Sequence, residues 1–240
     1  MLRSLLVWPI HFFCTIFFSM LTILVSLFDA SGNKPHLVAR MWGKVLVRAT
    51  GTRVKVRGLE NIAPRQSYIL VSNHQSNFDI FACLGYLPIQ FRWIAKAELF
   101  RIPLLGRAMA RVGYISIERG SPKKAYRSML KAAEKVKTGT SVMIFPEGTR
   151  SPDGKLQDFK KGLFLIALKS QAPILPITIL GTGGILRKGD WRIHPGEITI
   201  IIDPAIPTAG IPPEKEEELS QQVRSVLLKN LIPAPPTEVF

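Results

Sequence analysis

Acidic residues are scarce in this chain: its 240 residues hold 17 Asp and Glu against 32 Lys and Arg, a formal charge of +15. An anionic partner is expected, and nucleic acid and anionic membrane both qualify. Cysteine is nearly missing as well. Two residues, Cys14 and Cys83, exclude a disulfide framework and a zinc site of the usual kind, and a reducing, cytoplasmic setting for the main domain is the simplest reading. The four histidines, His11, His36, His74 and His194, are scattered and lack clustered Cys or carboxylate companions, so no metal and no resident cofactor is expected. No Gly-x-Ser-x-Gly elbow marks a nucleophilic serine. Gly181-Thr182-Gly183-Gly184 has neither the Gly-Lys-Ser/Thr ending nor the Gly-x-Gly-x-x-Gly spacing of phosphate-binding loops, and reads as an ordinary loop. Repeats, coiled-coil heptads and low-complexity tracts are also lacking, while 47% apolar content and four tryptophans exclude disorder.

Charge itself is missing from Leu5 to Phe28, 24 residues without Asp, Glu, Lys or Arg. As a helix this segment is roughly 36 Å long, enough to cross a hydrocarbon core of about 30 Å. It is too long for a signal-peptide core, and Phe28-Asp29-Ala30 is no small-x-small cleavage site. Arg3 precedes it while Lys34, Arg40, Lys44 and Arg48 follow, and this bias puts the following domain in the cytoplasm, at the inner membrane. Membrane lipid is therefore the expected anionic partner, and nucleic acid, for which no reader motif exists, is not. From His36 to Ala49, Leu37, Val38, Met41, Trp42, Val45 and Leu46 recur at helical spacing with Arg40, Lys44 and Arg48. That pattern suits an amphipathic helix on a lipid surface or against a core. One span plus an interfacial helix, and two helices dipping into one leaflet, both remain open.

Beyond residue 50 the pattern becomes α/β. Short apolar runs bounded by Gly, Pro, Asn or charge predict strands at Arg53 to Arg57, Ser67 to Ser72, Phe91 to Ala95, Tyr114 to Glu118, Ser141 to Phe145, Ile174 to Leu180 and Glu197 to Asp203. Ser121 as cap, Pro122 at the first helical position and Gly139 as terminator frame a helix over 121–137. Glu214 to Lys229 reads as a last helix with its glutamates at the N-terminus, and Ile232 to Phe240 as a loose end. The expected fold class is α/β, a mixed, mostly parallel sheet flanked by helices. Two parts are expected: 1–50, apolar and amphipathic helices forming a membrane anchor, and 51–240, the α/β catalytic domain.

The most informative stretch is Asn73-His74-Gln75-Ser76-Asn77-Phe78-Asp79. On one continuous helix residues five apart point about 140° away from each other, so His74 and Asp79 cooperate only across a turn. The polar run 73–77 supplies one, Ser76 or Asn77 can cap a helix, and Gly85 is expected to stop it. Asp79 then sits in the first helical turn. Attack by a hydroxyl on an electrophile needs a base that removes the hydroxyl proton as the oxygen attacks. An imidazole titrating near about 6.5 suits that task when a carboxylate on its far nitrogen fixes the tautomer. His74 is the expected base and Asp79 its orienter; Cys83 is expected in the core. A second stretch, Phe145-Pro146-Glu147-Gly148-Thr149-Arg150-Ser151, closes an apolar strand with a sharp turn. The turn places Arg150, whose planar fork pairs two phosphate oxygens, in a loop at the sheet edge.

With Gly113-Tyr114-Ile115-Ser116-Ile117-Glu118-Arg119, these blocks resemble the glycerolipid acyltransferase family, and within it most the 1-acylglycerol-3-phosphate acyltransferases, from roughly Val54 to Asp203. The resemblance implies substrate contact by Glu147, Gly148 and Arg150, with Thr149 beside them, although Glu147 reads equally as a carboxylate that orders the loop. It implies that Arg119 meets the glycerophosphate and that Lys96 helps the anionic head or the thioester. Ser116 and Glu118 depart from the family's usual residues, which puts any role of Glu118 in doubt. Lys160 and Lys161 read as a solvated helix start or as a guide for a phosphate-bearing carrier. Ala172-Pro173-Ile174-Leu175-Pro176-Ile177-Thr178 resembles a fourth block beside an acyl groove. The implied activity is transfer of a fatty acyl group from acyl-CoA or acyl-carrier protein to the sn-2 hydroxyl of lysophosphatidate, giving phosphatidate. Another lysophospholipid, glycerol 3-phosphate or a lyso-amino-acid lipid as acceptor, and a non-catalytic module that binds anionic lipid, are the alternatives.

Overall fold

The computed structural model describes residues 2–118, 120–160 and 164–231. Its strands are β1 (Arg53–Arg57), β2 (Ile69–Ser72), β3 (Phe91–Lys96), β4 (Ile115–Ile117), β5 (Ser141–Ile144), β6 (Ile174–Leu180) and β7 (Glu197–Ile202). They form one sheet in the order β1-β7-β6-β2-β5-β3-β4. Every pairing is parallel except β6 with β7, which is the mixed, mostly parallel sheet expected. β1 and β6 have the expected bounds, and the other strands differ from them by one or two residues at an end.

The helices are α1 (Leu2–Val25), α2 (Asn33–Ala49), α3 (Asn77–Tyr86), α4 (Leu105–Val112), α5 (Pro122–Lys137), α6 (Leu165–Ser170), α7 (Thr182–Ile185) and α8 (Glu216–Leu231). Ser121 caps α5, accepting from Lys124 N–H at 3.4 Å, with Pro122 at the first helical position. α8 begins two residues later than expected, after a short 3-10 turn at Pro213–Lys215. The Gly-rich stretch after β6 is a single helical turn, α7, rather than a loop. The expected loose end, 232–240, lies outside the described residues.

Alternating residues of β2 explain its unbroken apolar run. Ile69 and Val71 pack with Met129, Val136, Ile166 and Val223 on one side of the sheet, whereas Leu70 packs with Phe78, Leu84 and Phe91 on the other. A strand buried on both faces has no polar face to alternate with. The second cluster also takes in Val7 of α1 and Ala39 and Val47 of α2, so the N-terminal helices share the core.

Gly85 does not stop α3: the helix runs through it to Tyr86, and Pro88 two residues on prevents continuation. The glycine serves a helix crossing. A Cβ on Gly85 stands 2.8 Å from the Lys44 nitrogen, and one on Gly43 stands 2.6 Å from the Phe81 oxygen. Both glycines let α2 and α3 approach backbone to backbone.

α1 has its polarity inverted. Ser4, His11, Ser19 and Thr22 are buried against the protein, while Leu5, Phe12, Phe13, Phe17, Met20 and Leu24 are exposed. Two of its inner polar side chains are matched: His11 Nε2 to Leu46 O at 3.0 Å, and Ser4 Oγ accepting from Ile193 N–H at 2.9 Å. α2 splits the apolar residues read from its sequence. Val38 and Leu46 face the core, and Leu37, Met41 and Val45, at i, i+4 and i+8, form an outer stripe. A 24-residue apolar helix with an exposed apolar face suggests membrane association.

Candidate active site

β2, β5, β3 and β4 run parallel side by side, so their carboxyl ends, Ser72, Ile144, Lys96 and Ile117, line up along one edge of the sheet. That edge is where sites form in α/β sheets. The His74, Lys96 and Phe145–Ser151 segments all issue from it. Arg119, expected from the same edge, lies outside the described residues.

Asn73 ends the strand by locking its side chain into β6: its Nδ2 donates to Ile179 O at 2.9 Å and its Oδ1 accepts from Ile179 N–H at 2.8 Å. The chain then turns, and Ser76 caps α3 with Asp79 completing a capping box. Asp79 Oδ2 accepts from three donors: Gln75 N–H at 2.7 Å, Ser76 N–H at 2.8 Å, and His74 Nδ1 at 2.7 Å. The carboxylate that starts the helix is thus the one that holds the imidazole. Asp79 is fully buried, and its Oδ1 has no partner among the described residues. With Nδ1 taken, the free position on the ring is Nε2, which makes no hydrogen bond among the described residues.

Phe145 fixes the ring from one face. The two rings stack with centroids 3.9 Å apart and planes 6° apart, and Trp93 of β3 stacks in turn on Phe145 at 5.1 Å. The His74 side chain is 13% exposed. Cys83 is fully buried, and burial with the nearby Asp79 charge pushes its thiol well up, as suits a core residue.

Glu147 reaches back to the first loop. Its Oε1 accepts from His74 N–H at 2.6 Å and its Oε2 from Gln157 N–H at 2.9 Å, while Ser151 N–H donates to His74 O at 2.7 Å. Both carboxylate oxygens are therefore engaged by backbone, which orders the loop, and the residue also lines a cavity. Burial pushes its carboxyl up to about 7 against the pull of the two N–H donors, with the Asp79 charge adding to the rise. Gly148 has φ +70, a left-handed value that the tight turn after Glu147 requires.

Two cavities flank this centre. The first, of about 700 Å³, is walled by Ile94, Ile117, Tyr126, Met129, Phe145 and Leu165, with Glu147, Gly148, Thr149 and Lys160 at its polar side. The second, of about 500 Å³, is polar and includes Gln75, Ser151, Arg187, Lys188, Arg192 and His194. His74 lines neither: its stacking partner Phe145 lines the first, and its neighbour Gln75 the second. Arg150 makes no side-chain hydrogen bond or ion pair among the described residues, and Lys188 Nζ donates to its carbonyl at 2.7 Å. Lys96 is exposed and pairs with Glu98 at 3.3 Å; it lines neither cavity. No cluster of His, Cys, Asp and Glu able to hold a metal occurs among the described residues.

Sequence reading quoted Asn73 and Phe145 within its two informative stretches but gave neither a role, and it missed Trp93 and the Arg187–Arg192 segment as parts of this neighbourhood.

A single mixed, mostly parallel sheet presents an Asp-held histidine at its carboxyl edge, and comparison with known proteins gives the family. Residues 53–180 match the Acyltransferase family, and the chain belongs to it. It is 39% identical over 181 residues to a chloroplastic 1-acyl-sn-glycerol-3-phosphate acyltransferase of Brassica napus, covering 74% of this chain and 52% of that protein. With the 1-acyl-sn-glycerol-3-phosphate acyltransferase of Pseudomonas aeruginosa it shares 34% over 195 residues, 79% of this chain and 75% of the relative. The crystal structure of a 1-acyl-sn-glycerophosphate acyltransferase from Thermotoga maritima superposes with TM-score 0.82 at 32% identity, covering 96% of this chain and 93% of that one. The chain spans little more than half the length of the Brassica relative.

Proposed function

We propose that the protein transfers a fatty acyl group from acyl-CoA or acyl-carrier protein to the sn-2 hydroxyl of 1-acylglycerol 3-phosphate, releasing phosphatidate and the free thiol. The observation that carries this reading is the His74–Asp79 pair, whose Nε2 has no hydrogen-bond partner among the described residues and whose stacking partner Phe145 lines an apolar cavity of about 700 Å³. The names of the similar proteins point to the same acceptor. His74 Nε2 takes the hydroxyl proton as the oxygen attacks the thioester carbonyl. The tetrahedral intermediate collapses, the C–S bond breaks, and the imidazolium returns its proton to the leaving thiolate. Asp79 keeps Nδ1 protonated and stabilises the imidazolium. Direct attack needs no acyl-enzyme.

Arg150 takes the acceptor's phosphate, with Arg119 and Lys96 as further cations for the anionic reactants. Thr149 and Gly148 line the path, and Glu147 holds that loop onto the His74 turn. The first cavity takes an acyl chain. Residues 1–50 serve as the membrane anchor and 51–240 as the catalytic domain, at the cytoplasmic face of the inner membrane. α1 packs along the protein from Ser4 to Thr22, which supports two helices lying in one leaflet rather than a free span. Purified protein in lipid should release thiol fastest with lysophosphatidate from a panel that includes other lysophospholipids, glycerol 3-phosphate and lyso-amino-acid lipids. Vesicle binding without thiol release on any acceptor would instead indicate a lipid-binding module.

A further inference from the structure

We propose that the second, polar cavity is a capture site for the phosphate monoester of a membrane lipid, feeding the headgroup from the bilayer surface to Arg150. The inference rests on the acceptor reading above and adds the residues and the route.

Charge accounting leaves the cavity with a free cation. Asp190 is engaged by Arg192 at 2.8 Å and by the Trp191 and Arg192 N–H groups, and Asp153 accepts from Ser151 Oγ and Lys155 N–H. Lys188 is tied to the Arg150 carbonyl at 2.7 Å and more loosely to Thr149 Oγ1 at 3.4 Å. Arg187 is exposed and has neither ion pair nor side-chain hydrogen bond among the described residues. An unengaged guanidinium in a polar recess pairs well with phosphate oxygens. A monoester, with a charge of about −1.5 to −2, is favoured over a diester.

Position assigns the lipid as the source. The loop that carries Arg187, Lys188 and Arg192 is pinned to the N-terminal end of α1: Trp8 Nε1 donates to Trp191 O at 2.8 Å, and Ile193 N–H donates to Ser4 Oγ at 2.9 Å. Trp8 and Trp191 are both exposed there, as tryptophans at a membrane interface are. With the apolar face of α1 in lipid, the cavity opens at headgroup level. Its lining also takes in Gln75 and Ser151, the residues next to His74 and Arg150. In lysophosphatidate the phosphate is only a few bonds from the sn-2 hydroxyl, so a headgroup moving along this recess brings its hydroxyl toward His74. The arm of an acyl carrier holds its phosphate much farther from the thioester.

The test is steady-state kinetics of Arg187→Glu and Arg187→Lys in lipid, with acceptor and donor varied separately. Arg187→Glu should raise the KM for lysophosphatidate about three- to tenfold, with kcat and donor KM unchanged, and Arg187→Lys should restore most of it. An acceptor KM equal to wild type in Arg187→Glu overturns the proposal, as does a rise confined to the donor KM. A second arm does not depend on turnover. His74→Ala protein should bind phosphatidylcholine vesicles carrying phosphatidate more tightly than vesicles carrying phosphatidylserine at equal charge, and adding Arg187→Glu should remove that preference. If wild type fails to acylate lysophosphatidate, the acceptor reading falls and this arm alone decides the cavity: a preference untouched by Arg187→Glu refutes it.

Discussion

His74 moves a proton in the proposed reaction and Arg150 holds a phosphate, so their substitutions should separate kinetically. His74→Ala should lower turnover about 10²- to 10⁴-fold with little change in substrate binding. Arg150→Ala should remove roughly 1.5 to 3 kcal/mol of charge-assisted binding and chiefly raise the KM for the phosphate acceptor. Equal turnover losses with unchanged KM in both variants would refute this division. Glu147 offers a structural test. Glutamine keeps one acceptor but turns an NH₂ toward the second backbone N–H, so Glu147→Gln should cost about 1–3 kcal/mol of stability in denaturation. The sign of its pH dependence follows from a carboxyl pushed up to about 7 from the usual 4.5. The folded protein binds the proton more tightly, so Glu147 contributes stability below pH 4.5 that is lost as pH rises through 7, on the order of 3 kcal/mol in all. The melting temperature of wild type should therefore fall more steeply between pH 5 and 8 than that of Glu147→Gln. The His74–Asp79 contact was legible because a spacing that fails on a helix works across a capped turn. The contacts of Phe145 and Trp93 were not, since those two reach the histidine from other strands, nor was the Asn73 bond to Ile179 of β6.

At the scale of elements, the α2–α3 crossing governs the site from behind. Asp79 is carried by α3, and Gly43 and Gly85 set how closely α2 lies on it. Gly43→Ala and Gly85→Ala each force a Cβ into backbone of the facing helix, and each should destabilise by about 1–3 kcal/mol. The double variant should cost less than the sum, because once the helices part the second methyl meets less resistance. Thermal unfolding of the three variants checks this. Element existence was legible where apolar periodicity met a strong punctuating pair or turn: Ser121-Pro122 before α5, and the Pro-Glu-Gly turn after β5. Gly85 shows where such punctuation misleads. A glycine reads the same in sequence whether it ends a helix or admits a neighbouring backbone, and only the packing partner distinguishes them. α4 was not read, although Gly113 caps its C-terminus with φ +86.

For the whole molecule, the inverted polarity of α1 joins the fold to the membrane. Replacing Phe12, Phe13 and Phe17 by serine removes exposed apolar surface without touching the buried Ser4, His11, Ser19 and Thr22 face. At about 1.5–3 kcal/mol per fully buried phenylalanine, vesicle partitioning of the triple variant should drop by more than tenfold while its unfolding midpoint in detergent holds. Retention on vesicles equal to wild type would exclude this face as the lipid contact. Sequence by itself determined the alternating α/β pattern, the excess of positive charge, the long uncharged segment and the spacing of His74 and Asp79, because propensity, periodicity and local turns act over a few residues. Tertiary structure alone decided that α1 turns its polar atoms inward, that α2 divides its apolar residues between core and exterior, that both oxygens of Glu147 are taken by backbone, and that Phe145 of a distant segment stacks on the His74 imidazole. Those outcomes depend on the order of strands in the sheet and on close packing between distant segments, neither of which leaves a periodic trace along the chain.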